Sequence, residues 1–384
     1  MKKKVAVFID WYEPGFKAGG PIQSCKNLVN QLSGLFEFYI FTSDRDIGED
    51  SSYENVQTNT WIRNAENIHV WYATPDARKA KDIRSMIKQV QPDIVYFNSM
   101  FSKSFALIPL LVLKRIKYSG KIVLAPRGML HSGALSSKSL KKKVFLQVFR
   151  LSGWPSRLLF HATDEQELKY VKKHFPSAKV KVAANIPNVD NTDLTFPVKQ
   201  RNELNAVYIA RIHPHKNLHF FLQLFKELKP EYKLRFDIFG VADDEAYSAR
   251  CRELAADLPG NVQVNFHGPL VNREVLPTLK HNHVFMLATL GENFGHAVFE
   301  SLTAGRPVLI SDQTPWRSLA SVNAGWDLPL NDKQAFAGTI AELMEMGQDE
   351  YDVWAKGAKA LALDFMTKQN YTSTYLRLFN ETDN

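Results

Sequence analysis

The chain reads as an α/β protein built from two doubly wound parallel-sheet domains, and three observations point there. Short β-branched or aromatic runs alternate with helical patterns almost throughout. That alternation pauses once, over residues 186–203, which are rich in Asn, Pro, Asp and Thr and show neither period. The length of 384 residues suits two full cores, at about 150 residues per domain.

In the first half the expected strands are residues 5–9, 38–42, 68–72, 94–97, 122–125 and 158–161. Helices are expected near 23–35, 84–90, 102–118, 139–151 and 165–175. Strand runs alternating with helices are the pattern of βαβ units, whose strands are buried on both faces. After the pause, strands are expected at 206–210, 234–239, 262–266, 284–288 and 308–310. Helices are expected at 218–228, 244–258, 273–280 and 296–304, and the chain past Asp332 reads as helical to its end. Ligands of open parallel sheets sit at the carboxyl ends of the strands. Two such sheets facing each other would make one deep cleft.

Composition excludes several classes. With 45% hydrophobic and 23% charged residues, the chain is neither disordered nor low-complexity. Three lysines follow Met1, but the apolar run 5–9 is too short for an export signal and Asp10 ends it. The longest apolar stretch, 105–113, falls far short of the roughly 20 residues a spanning helix needs. Cys25 and Cys251 make neither a disulfide framework nor a metal knuckle and suit a reducing compartment, so a cytoplasmic protein is expected.

Charge is unevenly placed. Residues 1–190 hold 29 Lys and Arg against 16 Asp and Glu, whereas residues 191–384 hold 19 against 24. Between Asp93 and Asp164 there are 12 cations and no carboxylate. A charge run is commonly a solvated face, but a long stretch purged of one sign suggests an anionic partner for the first half. Within it, residues 139–151 place Leu140, Val144, Val148 and Leu151 at helical spacing beside Lys141, Lys142, Lys143 and Arg150. That stripe either lies in a membrane interface or packs on the domain's own sheet.

Four segments carry candidate chemistry. Residues 290–307 run from a strand through a polar loop into a helix opening near Gly295, a junction with free N–H groups and a positive dipole end. Glu292 and Glu300 flank Asn293, Phe294, Gly295 and His296 there. Glu300 can reach ligand hydroxyls, or the two acids are a dipole cap and a solvated face. Arg211 and Lys216 follow the first strand of the second half; a fork and a point charge suit a diphosphate, or are two solvated surface cations. Gly19 and Gly20 lead from the first strand toward a helix, without the spacing of a dinucleotide fingerprint. Arg127 and His131 lie past an expected strand, where Arg127 can hold an anion and His131 is a base or a structural residue. No spacing suggests a metal site.

These four features, in this order, resemble glycosyltransferase family 4 of the GT-B fold. The likeness is closest to the bacterial polysaccharide-assembly members that carry a Pro-Arg-Gly-Met segment, here residues 126–129. Glu292 and Glu300 match the family's paired-glutamate element, Arg211 and Lys216 its diphosphate pair, and Gly19 and Gly20 its glycine loop. The resemblance implies a retaining hexosyltransferase without a metal or other cofactor, whose donor is a nucleotide sugar, with UDP the commonest carrier. Glu300 would hold the ribose, Glu292 would lie by the donor sugar, and Arg211 and Lys216 would steady the leaving diphosphate. Many members carry a histidine where this chain has Arg127, so either Arg127 or His131 meets the donor sugar.

The expected organisation is two Rossmann-like domains facing a central cleft. Residues 1–188 would bind the acceptor, joined by a C-terminal helix, 365–384, crossing back, and residues 203–364 would bind the nucleotide sugar. The implied acceptor is a lipid-linked or saccharide hydroxyl in capsule, exopolysaccharide or O-antigen synthesis. The enzyme would sit peripherally on the inner face of the cytoplasmic membrane, docked through residues 94–163, and would take no nucleic acid. The rivals are a nucleotide-sugar epimerase of the same fold and a non-catalytic binder of anionic membrane or nucleic acid.

Overall fold

The computed structural model describes residues 2–131, 139–188 and 192–381; the side chains of residues 139–141, Lys141 among them, lie outside that description. The chain divides into two compact units, residues 1–186 with 370–384, and residues 187–369.

Among the described residues the first unit holds an eight-stranded sheet. Its strands are β1 (Lys3–Phe8), β2 (Phe36–Ser43), β3 (Trp61–Ala65), β4 (Ile68–Ala73), β5 (Ile94–Phe97), β6 (Lys121–Leu124), β7 (Leu159–Ala162) and β8 (Lys179–Val182). Their order is β3-β4-β2-β1-β5-β6-β7-β8. Every pairing is parallel except that of the edge strand β3 with β4. Central strands such as β5 are buried at every residue, which is why they read as continuous apolar runs.

The second unit holds β9 (Glu203–Ile209), β10 (Lys233–Phe239), β11 (Val262–Gly268), β12 (Val284–Leu287), β13 (Val308–Ser311) and β14 (Gly325–Leu328). They are wholly parallel in the order β11-β10-β9-β12-β13-β14. Helices such as Leu218–Leu224 and Lys333–Glu345 cover the sheet, and Phe220, Phe221 and Phe336 meet ring to ring in that packing.

Three strands were not expected from the residue pattern, each for a local reason. β3 is mostly exposed, β8 is an edge strand of alternating lysine and valine, and β14 opens on Gly325 at φ 143°. The expected helix 102–118 is instead a π-turn, Lys103–Leu107, followed by Ile108–Arg115.

Residues 187–202 of the Asn- and Pro-rich pause group with the second unit. Buried Lys199 donates to the carbonyls of Gln200, Met344 and Met346 at 2.7, 3.4 and 3.0 Å. Burial draws its ammonium pKa down to about 8. The segment lacks a period because side chains and distant carbonyls, not a ladder, satisfy its polar groups. The final helix, Tyr371–Asn380, packs within the first unit: the Tyr375 hydroxyl donates to Ala184 at 3.1 Å and Phe379 meets Phe36 edge-on.

Helix Ser139–Leu151 turns Leu146 and Phe149 into the first unit's core and leaves Val144, Val148 and Leu151 exposed. The stripe read from the spacing is thus not the face that packs on the sheet. Leu140, its first member, lies outside the described side chains.

Gly240 shows how tightly the second sheet closes near its loops. A Cβ there would lie 1.9 Å from the Ala210 carbonyl oxygen, so only hydrogen fits. Gly240→Ala should lower stability in urea denaturation by about 1–3 kcal/mol, the usual cost of overpacking.

Candidate functional site

A parallel sheet opens a crevice where neighbouring strands send their connections in opposite directions. In the second unit that point lies between β9 and β12, which pair at Val284–Ala206 and Phe285–Val207 and then part. The loops that leave these strands are clasped to each other. The His215 carbonyl accepts from the Leu290 N–H at 2.8 Å and the Thr289 hydroxyl at 3.2 Å. The His215 ring donates from Nε2 to the Gly291 carbonyl at 3.0 Å. On this clasp the Lys216 ammonium forms an ion pair with Glu292, both half-buried.

Arg211 stands at the outer side of the same loop, exposed, with its guanidinium 2.6 Å from Asp243. A bridge between Ile212 and Ala242 sets the β9 and β10 loops side by side. Each proposed diphosphate cation therefore faces a carboxylate. An exposed pair of this kind is worth at most about 1 kcal/mol, so an anion with two charges can replace Asp243 cheaply.

Gly295, at φ 77°, turns the β12 loop into helix His296–Thr303. A side chain there would be strained and would meet Val298 at 3.2 Å. The Trp316 indole N–H donates to the Phe294 carbonyl at 2.6 Å, and Phe294, Phe299, Trp316 and Phe365 form one aromatic cluster. Phe294 is thereby a buried anchor of the loop, flanked by half-buried Asn293 and His296.

Glu300 lies one turn into that helix. Part of its surface reaches solvent, while protein encloses the rest. Among the described residues no donor or cation pairs with its carboxylate. Desolvation with no compensating partner pushes the carboxyl up to about 8. This is an acceptor held ready for a hydroxyl or another donor.

The remaining sequence candidates belong to the first unit. Gly19, at φ 64°, caps helix Gly20–Leu32, and its carbonyl accepts from the N–H groups of Ile22 and Gln23 at 3.1 and 3.2 Å. Arg127 takes a left-handed backbone, φ 53°, and directs its fork inward. Its Nε donates to Asn98 at 2.8 Å, Nη2 to the Tyr96 hydroxyl at 2.8 Å and Nη1 to Asn185. Tyr96 in turn meets His161 Nδ1 at 2.8 Å, and burial lowers the His161 pKa to about 3, keeping it neutral. The Glu167 carboxylate accepts from the Gly128 N–H at 2.6 Å and the Thr163 N–H at 2.8 Å, fixing the next residue of the turn. His131 packs edge-on against Tyr170, and burial lowers its pKa.

The second unit thus gathers Arg211, Lys216, Glu292, Asn293, Gly295, His296 and Glu300 around one switch point; the first unit holds Gly19, Gly20, Arg127 and His131. Sequence reasoning did not single out Asp243, Asp10, Asn98, Asn185 or Tyr96. Asp10 follows β1 at the first sheet's own switch point, accepts from the Ser102 hydroxyl at 2.6 Å, and has its pKa raised by burial. Asp10, Asn98 and Asp243 all lie just past the carboxyl end of a parallel strand, the signal that would have found them.

Residues 191–361 match the family model described as Glycosyl transferases group 1. Over 196 residues the chain is 26% identical to a Salmonella typhimurium protein that bears the name colanic acid biosynthesis glycosyltransferase WcaL, covering 48% of each. The chain spans about half the length of the curated relatives it matches. Sucrose-phosphate synthase from Thermosynechococcus elongatus has a similar fold, with a TM-score of 0.72 at 14% identity over 98% of this chain and 97% of that one. HepE of Anabaena, solved with UDP and glucose, gives 0.71 at 14% identity over 98% of both chains. At such identities the likeness establishes the fold, the two parallel-sheet α/β domains of GT-B proteins.

Glu300 yields a sign-definite test. Its folded-state pKa, about 8, lies above the ordinary 4.5 of the unfolded chain, so folding takes up a proton between those values. Stability from this group is full below the window and is lost as pH rises through it. Glu300→Gln removes the titration. Thermal melts across a pH series should show its advantage over the wild type growing from about 4.5 to 8 and then levelling off.

Proposed function

From a second unit that carries a group 1 glycosyl transferase domain, we propose that this protein is a retaining glycosyltransferase of family 4. It moves a hexose from a nucleotide sugar, UDP-linked by preference, to a hydroxyl of a lipid-linked or saccharide acceptor in bacterial surface-polysaccharide synthesis. The observation that carries this is the switch point of the second sheet, where two cations, a helix N-terminus and Glu300, unpaired among the described residues, stand together. A nucleoside diphosphate has a matching demand: anionic phosphates for Arg211, Lys216 and the N–H groups after Gly295, and ribose hydroxyls for Glu300.

Transfer breaks the bond between the anomeric carbon and the diphosphate oxygen. Negative charge gathers on that oxygen while the sugar becomes oxocarbenium-like. The dipole of His296–Thr303 is already oriented, and Arg211 and Lys216 exchange part of their carboxylate contacts for the diphosphate, so that together they stabilise this charge. Glu292, tied to Lys216, lies by the donor sugar and steadies the positive sugar ring. The acceptor hydroxyl attacks from the face the diphosphate leaves, and its proton passes to the departing phosphate oxygen. The first unit presents the acceptor beside Gly19 and Gly20. The cage of Tyr96, Asn98 and Asn185 sets the Arg127 turn, and either Arg127 or His131 is the first unit's group for the donor sugar. No resident metal or cofactor enters this scheme, and a cytoplasmic enzyme on the inner membrane face would meet both substrates.

Thermal-shift screening against UDP, GDP, ADP and dTDP tests the donor, since a ligand of the folded state alone raises its melting temperature. No shift with any of them would overturn the proposal. Release of free epimerised sugar without acceptor would favour an epimerase instead. Glu300→Ala should weaken nucleotide binding in calorimetry roughly ten- to hundredfold, the worth of about two hydrogen bonds to ribose hydroxyls. Arg211→Ala and Lys216→Ala should each lower kcat on the order of a hundredfold while leaving the melting temperature within a few degrees.

A further inference from the structure

We propose that Trp316, on the loop after β13, is a positioning residue for the diphosphate: through one hydrogen bond it aims the peptide that joins Phe294 to Gly295. The inference rests on the proposed function for its ligand, and deepens it by naming what holds the phosphate-facing backbone in place.

Hydrogen bonds tie the loop bearing Glu292 and Gly295 to β13 and to the loop after it. The Ser311 hydroxyl donates to the Thr289 carbonyl at 2.6 Å, and the Glu292 N–H donates to the Gln313 carbonyl at 3.0 Å. The Trp316 indole N–H donates to the Phe294 carbonyl at 2.6 Å. Of these bonds, the last acts beyond Glu292, where the loop turns into helix His296–Thr303.

A trans peptide is planar, so its carbonyl and its N–H point in opposite directions. The peptide between Phe294 and Gly295 is trans, and its carbonyl points at buried Trp316, so the Gly295 N–H points away from it. Among the described residues nothing accepts from that N–H. Gly295 then leads into the helix, its carbonyl accepting from the Phe299 N–H at 3.0 Å. One buried donor thereby sets the direction of backbone N–H groups that an anion would meet. Donors fixed in advance spare the ligand the cost of ordering them.

Trp316 is itself held firmly. It is 6% exposed, and its backbone N–H donates to the Thr314 hydroxyl at 3.2 Å. Its ring lies 5.5, 5.7 and 5.0 Å from those of Phe294, Phe299 and Phe365. Phe365 belongs to helix Gln348–Lys368, from whose end the chain passes into the first unit at Asn370. Close packing leaves the indole a single seat. Tryptophan suits the task because it fills that seat with a ring and carries a donor with no competing acceptor.

Trp316→Phe keeps a ring and removes the donor, leaving the Phe294 carbonyl unpaired. Calorimetry with UDP and ligand-observed NMR with uridine, which has the ribose but no phosphate, read the two parts of the ligand separately. If the screen above selects another base, the matching diphosphate and nucleoside are used. The variant should bind UDP roughly tenfold more weakly and uridine as the wild type does. Glu300→Ala should weaken both by one factor, since it acts on the ribose. Phe365→Leu keeps apolar bulk but loosens the indole, and should repeat the Trp316→Phe pattern at about threefold. Amide hydrogen exchange over residues 293–299 should quicken in both variants while that of β9, β10 and β12 stays unchanged. A purely structural role would lower the melting temperature and leave the ratio of UDP to uridine affinity unmoved. That ratio unmoved in Trp316→Phe, or in Phe365→Leu should the first variant fail to fold, would overturn the proposal. A wild type that binds no nucleoside diphosphate would instead overturn the transferase reading, and this inference with it.

Discussion

The clasp between the loops that leave β9 and β12 is the constraint on which the candidate site depends. The two strands pair over two residues and then diverge, so nothing in the sheet itself holds their loops. His215 does so instead, through its carbonyl and its ring, to Leu290, Thr289 and Gly291. These bonds bring Lys216 onto Glu292 and set the start of the loop that Trp316 anchors further on through Phe294. Because the clasp is made mainly of backbone groups, it fixes where cations and carboxylates stand without consuming their charges.

The two units handle charge in opposite ways. In the first, Arg127 sits among the neutral oxygen acceptors of Asn98, Asn185 and Tyr96, and a histidine kept uncharged by burial completes the network. Each of the three nitrogens of that fork donates one bond, so this cation organises its turn. In the second, Arg211 and Lys216 meet single carboxylates near the surface, while Glu300 meets no cation or donor among the described residues. A satisfied buried network gives rigidity, whereas a desolvated and unpaired group holds free energy that a ligand can recover. This contrast, more than the count of charges, separates an arginine whose fork is engaged by neutral acceptors from a carboxyl left unpaired among the described residues.

Legibility of the fold followed burial. Central strands such as β5, β7 and β12 are short apolar runs because parallel sheets are covered on both faces, and each lay within a residue of its expected place. The exposed β3 and the edge strand β8 carry lysine, arginine or asparagine and left no such run, and the glycine opening β14 hid that strand too. Likewise, the residues 139–151 announced a helix, but their spacing singled out the stripe that faces water, since two apolar faces at the same period look alike from sequence.

By itself the sequence determined the class of fold, the two-part organisation, and the placing of Arg211, Lys216 and Glu292 on loops and of Glu300 on the helix that follows, because periodicity and residue type are local properties. Only the tertiary structure decided that Asp243 opposes Arg211, that Arg127 is caged by Asn98, Tyr96 and Asn185, and that residues 187–202 belong to the second unit. It alone decided that Glu300 has no partner among the described residues. Each of those facts depends on groups from 29 to well over 100 residues apart meeting in space, and on how much water their neighbours exclude. Pairing and desolvation of that kind are set by packing, which no window along the chain contains.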